Sequence, residues 1–560
     1  MQIRQKLAKP LFDAVDIAPL VFFRIAFGAL MLWEVWRYFY YDRIFRYYVE
    51  PVYNVHYLGF EWLKPLPGDG MYWLFIFLGV LSVTIMLGLL YRLSMAVFFV
   101  CFTYVFLLDQ AQYLNHFYLI SLISFLLIFV PAHRAFSVDA LLRPSIRSQI
   151  VPGWSLWLLR GQMAVVYTFG GIAKINPDWL AGEPLRSWLA ARTDFPLIGH
   201  LFTEEWMVYL FSYGGLLLDL TVAPLILWPR TRIPALILAT TFHLMNDRLF
   251  NIGIFPWFSI AATLLLLPAH WFRFWRREPI TASAPPLPVA FTARRLILVG
   301  MAAYFAFQVL LPLRHFLYPG DPSWTEEGHN LAWHMRLRSK SGTIALFASD
   351  PRSGLTWRIP ADSLINTRQW GQMKDNPDMI LRFAHYLNDL YAQDGAPDIE
   401  IRAWSMMSLN SRAPQLLIDP TADLTRKADN LLPADWILPL VQDPYPAPTT
   451  PALLVSRRVD DTLALINITD AAYPLNGVLI RAGDHVLTGA DFGISELLPG
   501  ECVFAFNVDS DSRALLPCNE TGQRLAVDAA LLESPLLIGT GSDADHRCES
   551  HVCVVTAGAT

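Results

Sequence analysis

The chain has 560 residues, of which 54% are apolar, 14% aromatic and only 16% charged, against roughly 25% charged in an ordinary soluble domain. Its formal net charge is -5 with no basic stripe to meet phosphates, so a nucleic-acid binder, a disordered chain and a coiled coil are all excluded. The apolar excess is confined to residues 1–313, whereas 321–560 have the composition of a globular domain.

Residues 1–18 carry Arg4, Lys6 and Lys9 and no small-residue cleavage site, so they read as a cytoplasmic segment ahead of an anchoring span. A spanning helix needs about 20 mostly apolar residues. The stretches that qualify are 19–40, 70–90, 92–109, 113–131, 154–174, 206–228, 232–246, 250–268 and 294–313. The seventh is short and the eighth contains Pro256, so one of them reads as re-entrant or broken. With the N-terminus inside, the inner segments hold fourteen Lys and Arg and the outer loops seven. That bias puts the C-terminal part on the outer side, the periplasm of a bacterial inner membrane or the ER lumen in a eukaryote. Only seven of the 43 basic residues are Lys, an arginine preference that points to a bacterial source. The Pro/Ala-rich stretch 278–293 reads as a solvent loop before the last span. No internal repeat is visible in the spans, which argues against an inverted-repeat transporter.

After the last span the sequence predicts an α+β domain over 314–445 and a β-rich domain over 446–560. Residues 376–393 repeat apolar positions at helical spacing, and Ile399–Trp404 alternate as a half-buried strand does. From 452 onward short β-rich runs are separated by Asn-Gly, Ala-Gly-Asp and Pro-Gly turns, the pattern of a sandwich or jelly roll. The expected fold is thus a polytopic α-helical membrane domain of about nine spans followed by a mostly β extracytoplasmic domain with some helix. Cys101 lies in an apolar block, whereas Cys502, Cys518, Cys548 and Cys553 share the last 60 residues and suit two disulfides in an oxidising compartment. Their spacing, with no paired CxxC, argues against structural zinc.

Charged and strongly polar groups inside spans are costly and point to function by default. Glu34 and Arg37, three apart, suit an intrahelical pair; Arg160 and Asp219 suit a buried interhelical pair; Arg24 is a further buried charge. At the span ends lie Asp109, Asn115, His116, Lys174, His243 and Asn246. Lys174 follows the run Tyr167-Thr-Phe-Gly-Gly-Ile-Ala. It suits either an interfacial lysine beside Trp179 or a desolvated one, where burial disfavours the ammonium and leaves an amine able to take a proton. With His116 and His243 it outlines a site near one membrane face.

These residues fall in stretches that resemble the vitamin K-dependent γ-glutamyl carboxylase family, whose membrane part is the horizontally transferred transmembrane domain. They are Leu107-Leu108-Asp109 with Asn115-His116, Ile172-Ala173-Lys174 with Pro177-Asp178-Trp179, Gly214-Gly215-Leu216-Leu217-Leu218-Asp219-Leu220, and Phe242-His243-Leu244-Met245-Asn246 continuing to Pro256. The likeness extends more weakly through Trp333-His334-Met335 to about residue 425.

The resemblance implies a specific reaction. Lys174 deprotonates vitamin K hydroquinone, and the oxidised anion adds O2 and rearranges to an alkoxide. That alkoxide takes the γ-proton of a peptide Glu, the carbanion captures CO2, and vitamin K leaves as the 2,3-epoxide. It implies that Lys174, His116 and Asn115 are catalytic, and that His243, with Asn246 and Asp109, binds the quinone. Trp333, Arg336 and Arg338 are expected on the substrate Glu side; the two arginines, two apart on an expected strand, could clamp a carboxylate. No metal is implied. The partners are a Glu-containing peptide, the bilayer and an enzyme that reduces the quinone, with no nucleic acid. Two alternatives stand beside this reading: a menaquinol oxygenase with another acceptor or none, and a non-enzymatic transporter or receptor. The stretch before Trp333 departs from the family pattern at the Glu site, and the C-terminal third is the least similar part. The carboxylated protein, propeptide use, the quinone side chain, the disulfide pairing and the oligomeric state are not legible in the sequence.

Overall fold

The computed structural model describes residues 10–272 and 290–441, apart from 353–354, 362–363, 413 and 421, together with the backbone of short strands beyond 450. Two compact units emerge. One comprises the residues up to Tyr318 together with Glu327–Ser339; the other comprises Pro319–Glu326 and the residues from Lys340 onward.

The first unit is helical, and a helix occupies each predicted stretch: α1 (Ala18–Tyr40), α2 (Gly70–Leu87), α3 (Tyr91–Leu107), α4 (Asn115–Phe129), α5 (Trp154–Ile172), α6 (Glu205–Leu227), α7 (Arg232–Phe250), α8 (Phe255–Thr263) and α9 (Phe291–Leu313). Among the described residues four helices, α1, α2, α6 and α9 with its extension to Leu317, are long and apolar enough to cross a membrane. The expected count of nine is not reached, for two physical reasons. Helices α3, α4 and α8 with its 3-10 continuation are apolar but short. Helices α5 and α7 are long enough but carry Arg160 and Gln162, or Arg232, Asp247 and Arg248, which dilute their hydropathy. The interior is aromatic: Phe27 meets Phe98 and Phe258 edge-on at ring distances of 5.6 and 6.2 Å, the geometry that ring quadrupoles favour.

The buried charges have defined partners. Arg24 is 0% exposed and donates to the carbonyls of Ala132 (3.4 Å) and Phe136 (2.5 Å) beyond the end of α4. Glu34 pairs with Arg37 at 2.6 Å, as the spacing predicts, and is also met by Arg43 at 3.5 Å. Helix α2 ends at Gly88 in the left-handed region (φ 65°), and a methyl group there would collide with the Arg24 guanidinium. Gly88→Ala is therefore expected to cost about 1–3 kcal/mol from backbone conformation alone, with the displaced Arg24 adding to it. A lowered melting temperature of the purified protein checks this. Helices α5 and α6 cross closely because Gly171 has no side chain; a methyl there would sit 2.6 Å from Leu220 Cδ2. That crossing positions the site described below.

In the second unit β1 (Lys340–Asp350) and β3 (Glu400–Leu409) form the centre of an antiparallel sheet, flanked by β2 (Leu355–Arg358) and β4 (Gln415–Leu416). Lys340 pairs with Leu409 at one end and Ser349 with Glu400 at the other. Helix α10 (Pro377–Gln393) has Pro377 in its first turn and Asn376 as its cap, and it buries Met379, Ile380, Phe383, Ala384 and Leu387, the apolar face the spacing predicts. Lys340 is held by Glu326 Oε1 at 2.8 Å and by the Trp324 and Asp375 carbonyls at 2.5 and 2.8 Å. Beyond 450 the strands Pro451–Arg457, Leu463–Asn467, Cys502–Ala505, Leu515–Pro517 and Val552–Thr556 form an antiparallel sheet, and a second joins Val478–Ala482 to His485–Thr488 and Leu537–Thr540. The expected cysteine pairing falls on Cys518 and Cys548 and on the side chains of Cys502 and Cys553, all outside the described residues.

Candidate active site

One face of α5 presents Tyr167 and Gly170, and Lys174 follows just past its last turn at the same three-to-four spacing. Lys174 is 5% exposed. Its Nζ donates to the Gly170 carbonyl at 3.0 Å and to Asp219 Oδ2 on α6 at 2.6 Å. It also lies 5.4 Å from the ring of Trp179. Trp179 is fixed in turn: Asn176 Oδ1 accepts from its backbone N–H at 2.9 Å, and its indole N–H donates to the Ser212 carbonyl at 2.9 Å. The interfacial and buried accounts of Lys174 therefore merge, since it sits beside Trp179 and is enclosed.

Asp219 is thus the partner of Lys174, which corrects the expected pairing with Arg160. The Arg160 guanidinium instead donates to the carbonyls of Leu265 (2.8 Å) and Leu267 (2.9 Å). A helix leaves its last carbonyls without partners, and a guanidinium on the neighbouring helix can satisfy two of them without any carboxylate.

A second cluster adjoins the first through Tyr167. Its hydroxyl meets His243 Nε2 at 2.8 Å and Thr263 Oγ1 at 2.6 Å. His243 is 4% exposed and its Nδ1 is buried without a hydrogen-bond partner. Phe255, at the start of α8, stands against both histidines, with ring distances of 6.1 Å to His243 and 5.6 Å to His116. Asn246 follows His243 by one turn of α7. Opposite Lys174, Gly215 leaves a shallow cradle: a methyl group there would lie 3.8 Å from Phe242 and Trp179 and 4.0 Å from Lys174 Cε. Flat aromatic walls, one amine and one unpartnered ring nitrogen suit a planar aromatic ring bearing hydroxyl or carbonyl oxygens.

The third part is the loop Glu327–Ser339, which packs with the helices rather than with the sheet that follows it. The Asn115 amide donates to the His334 carbonyl at 3.1 Å and accepts from the Tyr113 hydroxyl at 2.9 Å, while Tyr113 accepts from Leu331 N–H at 2.8 Å. Trp333 is 1% exposed and lies 4.9 Å from the Tyr118 ring. Met335 Cε would be 3.1 Å from a methyl group on Gly170, the residue whose carbonyl holds Lys174. Leu331, Trp333 and Arg336 all take positive φ, 62°, 63° and 51°, and such strain persists only where the surroundings impose it. Arg336 and Arg338 are accordingly not on a strand, since β1 begins at Lys340, which corrects the geometry expected of a carboxylate clamp. Arg336 lies over the Phe250 ring at 5.4 Å.

Asp109 has a structural assignment. Its carboxylate caps the 3-10 turn Gln110–Gln112 through Ala111 N–H at 2.9 Å and accepts from Val55 N–H at 3.3 Å. The structure therefore gathers Lys174 and His243 through Tyr167, His243 and His116 through Phe255, and Asn115 with Trp333 through the loop. Tyr167, Phe255, Phe242 and Met335 join the residues expected at the site, and Asp219 belongs there with Lys174 instead of with Arg160. The run Tyr167…Gly170…Lys174 at helical spacing was the one signal for Tyr167.

No solved structure matches the chain. Two family descriptions match it in tandem: the HTTM domain over residues 12–271, and the vitamin K-dependent gamma-carboxylase, lumenal domain, over residues 293–443. The first match lies within the helical unit and the second runs from α9 into the sheet, and with the two in tandem the chain belongs to the vitamin K-dependent γ-glutamyl carboxylase family.

Proposed function

We propose that this protein is an integral membrane carboxylase that uses a reduced naphthoquinone, O2 and CO2 to γ-carboxylate peptidyl glutamate, releasing the quinone 2,3-epoxide. The observation that carries the reading is the enclosure of Lys174 Nζ beside an aromatic cradle and next to a buried histidine with a free nitrogen. When bound, the hydroquinone together with O2 supplies a base far stronger than any side chain. The residues' part is to bind, orient and exclude water. Phe242, Trp179 and Phe255 supply flat contact; His243 Nδ1 and Asn246 supply polar contact for ring oxygens; Lys174 Nζ takes up a hydroxyl proton. Asn115 and His116 are neutral groups that stabilise developing negative charge without quenching it. Burial keeps water from a base that water would consume.

The Glu peptide meets the loop of Trp333, Arg336 and Arg338 on the outer side of a bacterial inner membrane. Phylloquinol and menaquinol share the ring chemistry, so either serves, and a separate quinone-reducing enzyme supplies it. A second reading keeps quinol oxygenation but changes or removes the carboxylation acceptor; it is favoured by Arg336 lying over Phe250 instead of forming a paired clamp.

The test uses purified protein in nanodiscs with vitamin K hydroquinone, O2, radiolabelled bicarbonate and a short Glu peptide. Epoxide and label appearing together support the first reading, and epoxide without label supports the second. Neither product, with menaquinol also inactive, removes both. Within either reading Tyr167→Phe frees His243 Nε2 and Thr263 from their shared partner. A lost buried hydrogen bond costs about 1–3 kcal/mol, so KM for the hydroquinone is expected to rise about tenfold, measured by initial rates against quinol concentration.

A further inference from the structure

A lysine held as an ammonium has no lone pair with which to accept a proton, and Lys174 Nζ lies 2.6 Å from a carboxylate oxygen, both side chains being buried. We infer that Asp219 decides when Lys174 can act as a base: it holds the ammonium at rest, and it takes that proton itself once a bound ring has covered the little of the pair that is still exposed. The inference rests on the quinol reading above and deepens it.

Four observations support it. Asp219 stands on α6 next to Leu220, which packs against Gly171 of α5, so the close crossing of the two helices brings the carboxylate to Lys174. Among the described residues Lys174 has one other hydrogen-bond acceptor, the neutral Gly170 carbonyl, at 3.0 Å. Its methylene chain borders the Gly215 cradle, so a ring seated there lies against the remaining 6% of the Lys174 side chain that is exposed. Met335 covers Gly170, closing the pair from the loop side. Two opposite charges deprived of water lose solvation that their mutual attraction repays only in part. A proton transfer that leaves an amine and a carboxylic acid removes both charges at once.

The proton balance is closed. One proton moves from Nζ to Oδ2, and the N–H bond lost is matched by the O–H bond gained. The freed Nζ lone pair then takes the proton of a hydroxyl on the bound ring, leaving Lys174 as ammonium and the ring oxygen as an anion. Loss of the Asp219 proton to water, once the pocket reopens, restores the resting pair. No further oxidant or reductant enters. Tyr167, two turns before Lys174, is within electrostatic reach of Asp219 and is hydrogen-bonded to His243. Asp219 is a positioning residue here, since it acts through Lys174.

The test reads the nitrogen itself. The chain has only seven lysines, so lysine labelled with 15N at Nζ gives a resolvable spectrum of the full-length protein in nanodiscs, and Lys174→Arg assigns the signal. Lys174 is expected as an ammonium in the wild type, as an amine in Asp219→Asn, and as an ammonium again in Asp219→Glu. An amine in the wild type, or an ammonium that persists in Asp219→Asn, overturns the inference. Should Asp219→Asn fail to fold, the wild-type spectrum still decides against it if the amine is seen. The expected spectra in a protein that oxidises no hydroquinone leave the control by Asp219 standing and remove the quinol reading instead.

Discussion

Replacing Lys174 by methionine is expected to lower hydroquinone oxidation by about 10²–10⁴-fold, the contribution of a positioned general base. The single variant carries a confounding cost that the structure makes explicit. Lys174 and Asp219 are buried 2.6 Å apart, so removing the amine strands a carboxylate; breaking a buried pair from one side costs about 3–5 kcal/mol. The informative variant is therefore Lys174→Met with Asp219→Asn, in which both charges are gone. Its melting temperature is expected to recover most of the loss seen in Lys174→Met alone, while its turnover stays at the level of the single variant. Recovery of turnover together with stability would assign Lys174 a structural role only. Initial-rate assays paired with thermal unfolding of the four proteins in the cycle separate the two outcomes.

The second large effect is expected at Trp333. Truncation of a fully buried tryptophan costs about 3–5 kcal/mol, and this one anchors a loop with three strained residues. Trp333→Ala removes the contact with Tyr118 and with it the means of holding the His334 carbonyl against Asn115. The expected result is a large fall in melting temperature together with proteolytic cleavage within 327–339 that the wild type resists. Trp333→Phe keeps a ring against Tyr118 and is expected to lose less than half as much. An unchanged cleavage pattern in Trp333→Ala would show that the loop is held by its other bonds, those of Tyr113 and Arg314 to Leu331 and Asn330.

What could be read in advance depended on the range of the interaction. Apolar runs located the nine helices α1 to α9, and the Pro377-led amphipathic pattern located α10, because length and periodicity are local properties; the short helices Val138–Leu142, Pro177–Leu180 and Leu185–Ala190 fell outside those runs. The Glu34–Arg37 pair was legible from its i,i+3 spacing. The partner of Asp219 was not, because two basic residues lay in the same apolar neighbourhood. The choice between them was made by the α5–α6 crossing at Gly171, which no local pattern encodes. Arg160 looked like half of an ion pair because a charge in a span suggests another charge; two helix-end carbonyls served it instead. Asp109 drew attention as a polar group at a span end, yet an Asp just before a short turn also has the signature of a cap. The return of residues 327–339 to the helical unit had no sequence signal: it rests on the positive-φ turns at Leu331, Trp333 and Arg336, which none of these residue types announces. Phe255 was hidden for the opposite reason, since one more aromatic in an apolar segment carries no mark of its role.

A quinone ring handled among Lys174, Phe242, His243 and Phe255 should be marked there by a photoreactive naphthoquinone. Photo-crosslinking of the wild-type protein in nanodiscs, competed by unmodified vitamin K and mapped by peptide mass spectrometry, decides the matter. Competable adducts on the segments that carry Lys174, Phe242–His243 and Phe255 are predicted. Adducts confined to other segments, or insensitive to competition, would contradict that placement.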